Sequence, residues 1–317
     1  MGRMSRLTGG NFAGCSKSSP SKAAGESKPE AYPQGYVEDF DEPRTKLADF
    51  FSILKVERGK GDCMNQSMIG SFVDAVDEAV KRLDLDLVSR EYWDQNEFLF
   101  IPQFLPRSVV EEHLVPQAQG VKGELNRNYI PGHKKGGSVS YYTVMEKAPR
   151  FLDLYRSEAF IDFLSRLVRA KLSLCPENDP HSCALYYYTE PGDHIGFHYD
   201  TSYYKGARYT ILMGLVDKST QCKLVCELFK DDPVKQPKHL ELITQPGDLV
   251  IFNGDKLWHS VTPLGEGEER IALTMEYVTN PDMGTFKRLY SNLKDSVAYF
   301  GLRTVFKQAF TGSNRRS

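Results

Sequence analysis

The chain has 317 residues, 40% of them hydrophobic, with 40 basic against 42 acidic side chains and a formal net charge of -2. That is enough apolar material for one large domain or two small ones, and a balance so near neutrality lacks the basic footprint of a nucleic-acid binder. No run approaches the roughly 18 apolar residues of a membrane helix and no continuous apolar stretch near Met1 marks a secretory signal, so a cytoplasmic protein with no membrane or nucleic-acid partner is expected.

The six cysteines (Cys15, Cys63, Cys175, Cys183, Cys222 and Cys226) fall at irregular spacings, which predicts reduced packing residues rather than a disulfide framework. From Met1 to about Pro33, Gly, Ser and Lys dominate without apolar periodicity. Such a segment cannot offset the entropy of ordering, so residues 1–40 are expected to form a disordered leader. Its serines and few acids also fit organelle targeting, although no amphipathic Arg-rich helix is visible.

Ile69, Phe72, Val73, Val76, Val80 and Leu83 recur at helical spacing opposite Asp74, Asp77, Glu78 and Lys81, which predicts a core-packed helix between Ser67 and Asp84. "NEFLFIPQFLP" reads as a strand ended by prolines, and Ser108 with Glu111 matches a capping box that opens a short helix to Val115. A second amphipathic helix is predicted over Glu158–Leu172, burying Phe160, Phe163, Leu164, Leu167 and Val168.

After Pro180 the texture changes to short strand-like runs parted by turn residues, from "CALYYYTEPGD" to "RIALTMEYV". With no helical segments between them, these predict a β sandwich or barrel of about eight strands over residues 181–279 rather than a parallel sheet. Residues 282–310 turn helical again, and a single domain over 41–317 with a helical first part is expected.

Within "HIGFHYD", His198 and Asp200 share one face of a strand because side chains alternate. A His-x-Asp pair on its own is commonly two solvated groups. The context adds a third candidate, His259 in the apolar "LWHSV", 61 residues further on, and then Arg270 eleven residues beyond that at the start of a strand. Two histidines and one carboxylate form the facial set that leaves iron(II) positions open, and an arginine at the mouth of an apolar strand is costly to bury without an anion. His239, in the charged "DDPVKQPKHLEL", is the rival distal ligand. His194 is expected beside the ligands, and His113, His133 and His181 at the surface.

This H-x-D, the distal His, the later Arg and "PGDLVIF" together resemble the iron(II)/2-oxoglutarate-dependent oxygenase superfamily, over roughly Glu97 to Val278. The resemblance implies a double-stranded β-helix (jelly-roll) core that is mainly β with flanking helices. It implies Fe(2+) held by His198, Asp200 and His259, with 2-oxoglutarate and O2 as cosubstrates. Arg270 would bind the distal carboxylate of 2-oxoglutarate, assisted by Tyr186 or Tyr188. It further implies a dioxygenase that couples decarboxylation to succinate with oxidation of an unactivated C–H bond. In related radical halogenases a small residue replaces the carboxylate, so Asp200 points to hydroxylation, desaturation or ring closure.

Strand alternation places Thr274 and Glu276 on the face of Arg270, where an inward glutamate would meet a substrate ammonium or a neighbouring Arg or Lys. "NRNYIPGHKKGGSVSYYTV" reads as a mobile lid on which Arg127, Lys134 and Lys135 would grip substrate carboxylates. An acidic wall and a basic lid suggest a free or modified amino acid as the small-molecule substrate. "HYDTSYYKGARYT" and the tail after "LTMEYV" are similar to oxygenases of free amino acids, and less closely to algal kainoid synthases, which close a pyrrolidine ring in an N-prenylated glutamate. A protein side-chain hydroxylase and a non-catalytic jelly-roll binding protein are the competing readings.

Overall fold

Turn chemistry and strand alternation dominate the architecture of the computed structural model, which describes residues 71–282 apart from 201 and 203. These fall within one compact unit, residues 65–317. The leader and the helices expected over 282–310 lie outside the described residues, save Asp282 itself.

The helical part begins with α1 (Phe72–Lys81), whose Ser71 side chain accepts the Asp74 amide. Phe72, Ala75, Val76 and Ala79 form its buried stripe, whereas Val73 is exposed, so the face is rotated from the predicted one. Then comes α2 (Leu85–Asp94), capped by Asp84 and not foreseen, its buried stripe reduced to Val88, Ser89 and Tyr92. Strand β1 (Phe98–Ile101) follows, with α3 (Arg107–His113) and α4 (Val115–Gly120). Pro106 occupies the N-cap of α3 and no side chain caps it, so the expected Ser108 box does not form. Ser108 falls inside the first turn, where a hydroxyl cannot act as a cap.

Strands β2 (Asn126–Ile130) and β3 (Lys134–Val139) make a hairpin, followed by α5 (Tyr141–Lys147), α6 (Arg150–Tyr155), α7 (Glu158–Leu167, capped by Ser157) and the short β4 (Ser173–Leu174). The remaining strands are β5 (Cys183–Tyr188), β6 (His194–His198), β7 (Arg208–Asp217), β8 (Leu224–Leu228), β9 (Lys238–Leu242), β10 (Leu249–Asn253), β11 (Trp258–Val261) and β12 (Arg270–Val278). All described pairings are antiparallel, in the order β1-β10-β7-β12-β5-β3-β6-β11-β8-β9, with β2 on β3 and β4 on β12. This is a mainly β jelly-roll core with flanking helices.

Residues 126–144, expected as a mobile lid, instead form the β2–β3 hairpin and the start of α5. β3 pairs β5 through Gly137–Val139 and β6 through Lys134–Lys135, so it joins the two halves of the sheet. Two Pro-Gly-Asp turns launch β6 and β10 by one device: Asp193 accepts the amides of Thr189 and Glu190, and Asp248 those of Gln245 and Gln103. Gly247 (φ +90) packs so closely on the Leu105 carbonyl that a Cβ would lie 2.1 Å from it. That contact fixes β10 against the segment after β1. The four described cysteines are buried and free of disulfides, and no helix among the described residues is long and apolar enough to cross a membrane.

Candidate metal centre

β6 and β11 pair so that His198 and His259 stand directly opposite, and two residues of β11 then span three of β6 down to the Val261–Ile195 pair. This bulge twists the strand end that carries the site. Asp200 follows β6 after one outward residue, its amide bonded to the Gly254 carbonyl. One ligand atom each from His198, Asp200 and His259 lies within 4.8 Å of the other two. His198 Nε2 is 3.4 Å from one Asp200 oxygen and His259 Nε2 is 3.9 Å from the other, with the imidazole centroids 4.3 Å apart.

The tautomers follow from the backbone. Nδ1 of His198 donates to the Gly196 carbonyl (2.9 Å) and Nδ1 of His259 to that of Leu257 (3.0 Å), since a carbonyl only accepts. Both Nε2 lone pairs are thereby left toward Asp200, the state a metal needs. Burial alone would raise the Asp200 carboxyl, but the His259 and His198 imidazoles and Arg208 hold it well below the usual carboxylate range. Burial pulls His259 down to about 4 despite Asp200, so the imidazole is neutral near pH 7. Burial opposes it, but Asp200 raises the His198 imidazole; two imidazole nitrogens and a carboxylate oxygen on one point are a donor set that fits iron(II).

Arg270 is 1% exposed. Its Nη2 donates to Thr244 Oγ1 (3.2 Å) and its guanidinium carbon stands 5.0 Å over the Tyr188 ring, but Nε and Nη1 are buried with no protein acceptor. A planar fork with two idle donors suits a carboxylate. Tyr186, two residues along the same strand face, lies 5.2 Å beneath Lys134 Nζ and its hydroxyl meets His181 Nδ1 at 3.1 Å.

Other expected substrate contacts are differently placed. Lys134 is 1% exposed inside the barrel, not on a mobile surface. Burial lowers its ammonium to about 7, and its charge acts on His198. Arg127 is committed to Asp193 (2.6 Å), Glu190 (3.0 Å) and Thr189 (3.1 Å), and Lys135 to the Pro191 carbonyl (2.7 Å), so both brace the turn before β6 rather than reach for a ligand. Glu276 faces inward as strand alternation requires, but its partner is Arg208 at 2.8 Å, not a free ammonium position. Thr274 is half-buried opposite Leu212 and Ala184.

His133 stands edge-on to His198 at 5.9 Å, whereas His194 bonds the Gly192 carbonyl. Sequence proximity favoured His194; the β2–β3 turn brings in His133 instead, and only the long-range β3–β6 pairing reveals that. His239 sits among Glu227 and Glu241 on β8 and β9, away from the cluster.

No protein-family model matches the chain, and no curated protein does. Solved structures do. A prolyl hydroxylase from Trichoplax adhaerens, in complex with a hypoxia-inducible-factor peptide, matches with TM-score 0.50 and 16% identity over 68% of this chain and 94% of that one. SnoK, a non-heme alpha-ketoglutarate-dependent carbocyclase of nogalamycin biosynthesis, matches at 0.51 and 13% over 71% and 89%. The epimerase SnoN, solved with Fe3+, alpha-ketoglutarate and nogalamycin RO, matches at 0.50 and 14% over 61% and 83%. The chain has the fold of the iron- and 2-oxoglutarate-dependent oxygenases.

Proposed function

We propose that this protein is an iron(II)/2-oxoglutarate-dependent oxygenase that oxidises an unactivated C–H bond of a small amino-acid-like substrate. The observation that carries the reading is the convergence of His198, Asp200 and His259 within 4.8 Å, in a barrel that also buries Arg270 with two idle donors. His198, Asp200 and His259 hold the ferrous ion, and Arg270, backed by Tyr188 and oriented by Thr244, takes the distal carboxylate of 2-oxoglutarate. Bound iron with 2-oxoglutarate and O2 supplies the oxidant, the cosubstrate leaving as succinate and carbon dioxide. Lys134, over Tyr186, adds positive charge inside the barrel, which favours an anionic substrate. Glu276, Arg127 and Lys135 are engaged by protein partners.

Oxidative ring closure of an N-prenylated glutamate, the kainoid-synthase-like reaction, is the specific proposal: its substrate is an amino acid with several carboxylates. Mass spectrometry of the protein with Fe(II), 2-oxoglutarate and a panel of amino acids and N-alkyl glutamates tests it. Loss of two hydrogens with succinate release marks cyclisation or desaturation, and a gain of one oxygen marks hydroxylation. Succinate release that survives Asp200→Ala overturns the oxygenase reading; turnover of a prolyl peptide alone replaces the small-molecule reading with side-chain hydroxylation.

A further inference from the structure

Arg208, Glu276, Thr210 and Asp200 form one chain of polar contacts running from the β7–β12 pair to the metal cluster. Arg208 Nε donates to Glu276 Oε2 at 2.8 Å; Thr210 Oγ1 lies 3.0 Å from that same oxygen and 2.8 Å from Asp200 Oδ2. Thr210 and Glu276 are buried, and the Arg208 side chain is 13% exposed. Glu276 and Thr210 are direct cross-strand partners, while Arg208 lies two residues along β7 on the same face.

We propose that Arg208, Glu276 and Thr210 are positioning residues that set the rotation of the Asp200 carboxylate and thereby the metal affinity of the site. Proton counting carries the point. Thr210 has one hydroxyl proton and two carboxylate oxygens within reach. Arg208 already supplies a donor to the Glu276 oxygen, which leaves the threonine proton for Asp200 Oδ2. Held there, the carboxylate keeps Oδ1 3.4 Å from His198 Nε2 and Oδ2 3.9 Å from His259 Nε2, so its rotation sets how it faces both imidazoles. The backbone ties the same groups together: the Gly254 amide donates to the Arg208 carbonyl (3.0 Å), and the Gly254 carbonyl accepts from the Asp200 amide (3.0 Å). Arg208 thus acts on Asp200 from two directions, through its side chain by way of Glu276 and Thr210 and through its carbonyl by way of Gly254. Outer hydrogen bonds of this kind govern metal affinity by about 10- to 100-fold when removed.

The inference rests on the metal-site reading, and cobalt(II) titration followed by its visible d–d bands separates the two. Thr210→Val keeps the volume and removes the donor; it is expected to weaken cobalt binding about tenfold or more and to shift the band positions. Thr210→Ser restores the donor and is expected to bind within threefold of the unmodified protein. Arg208→Lys keeps the charge and moves the donor, and is expected to weaken cobalt in the same direction, so the test stands even where the valine variant fails to fold. A Thr210→Val or Arg208→Lys protein that is folded by circular dichroism and binds cobalt within threefold of the unmodified chain overturns the relay alone. An unmodified chain that binds no cobalt overturns the metal reading and the relay with it.

Discussion

Arg270 and Tyr188 are cross-strand partners on β12 and β5, with the guanidinium carbon 5.0 Å over the phenol ring. The ring supports the cation from one side, and Thr244 binds only Nη2, so the charge is left with two buried donors unsatisfied. Asp217, its register partner on β7, acts on it electrostatically, yet a buried cation with unmatched donors is a stability cost that a bound carboxylate would recover.

That cost gives Arg270→Met an unusual pair of expected outcomes. Without ligand the variant should be as stable as the unmodified protein or more stable, by up to about 3 kcal/mol, because an apolar chain replaces a poorly paired buried charge. Its 2-oxoglutarate affinity should fall on the order of 100-fold or more with the loss of a bidentate charged contact. Thermal unfolding and calorimetry with manganese(II) in place of iron read the two quantities. A dissociation constant within threefold of the unmodified value would place the carboxylate elsewhere.

Arg127 is expected to act on stability and not on turnover. Its partner Asp193 is 0% exposed and also accepts two backbone amides, so removing the guanidinium leaves a buried carboxylate short of its cation. Arg127→Ala should lower unfolding free energy by about 1–3 kcal/mol while changing KM for the substrate less than threefold. A large rise in KM at unchanged stability would restore the substrate-gripping role that the sequence suggested.

Why one set of residues was legible and another was not has a physical cause. His198 and Asp200 share a face because of a local period of two, and the turns that launch β6 and β10 are written in adjacent Pro, Gly and Asp residues. The inward side chain of Glu276 follows from the same period. Its partner does not, because Arg208 meets it only through the β7–β12 register, 68 residues apart in sequence. The 126–144 segment misled for a related reason: its glycines read as mobility, whereas at Gly136 and Gly137 the chain runs as a strand between β2 and β5. Local pattern reports which way a side chain points, and long-range register decides what it meets.

Gly254 offers a test of how tightly Asp200 is seated. A Cβ added there would lie 2.9 Å from Asp200 Cβ and 3.0 Å from its carbonyl oxygen, too close for either backbone to remain in place. Gly254→Ala should therefore fold, since the clash is with a single neighbour, yet bind cobalt(II) or manganese(II) about tenfold or more weakly through displacement of one ligand. Equal affinity in the alanine variant would show that the Asp200 segment has slack the packing does not suggest.

Lys134 sets a pH dependence whose sign follows from its burial. Desolvation lowers its ammonium from 10.5 to about 7 in the folded chain. Between pH 7 and 10.5 the unfolded chain holds a proton that the folded chain has released, so this residue makes stability rise with pH, by up to about 1.4 kcal/mol per unit. Below pH 7 both states are charged, the slope vanishes, and the full penalty of burying the ammonium is present. Buried cysteine thiols, raised by desolvation, act with the opposite sign once unfolded thiols ionise above roughly pH 8.5, so the clean window is pH 7 to 8.5. Urea unfolding of the unmodified protein and Lys134→Met across that window should give a stability difference that shrinks as pH rises. An anionic ligand seated beside Lys134 should return the proton to it, so that binding at pH 8 takes up a proton and its calorimetric enthalpy varies with the buffer. A pH-independent stability difference, with no proton uptake on binding, would mean that the ammonium stays charged inside the barrel.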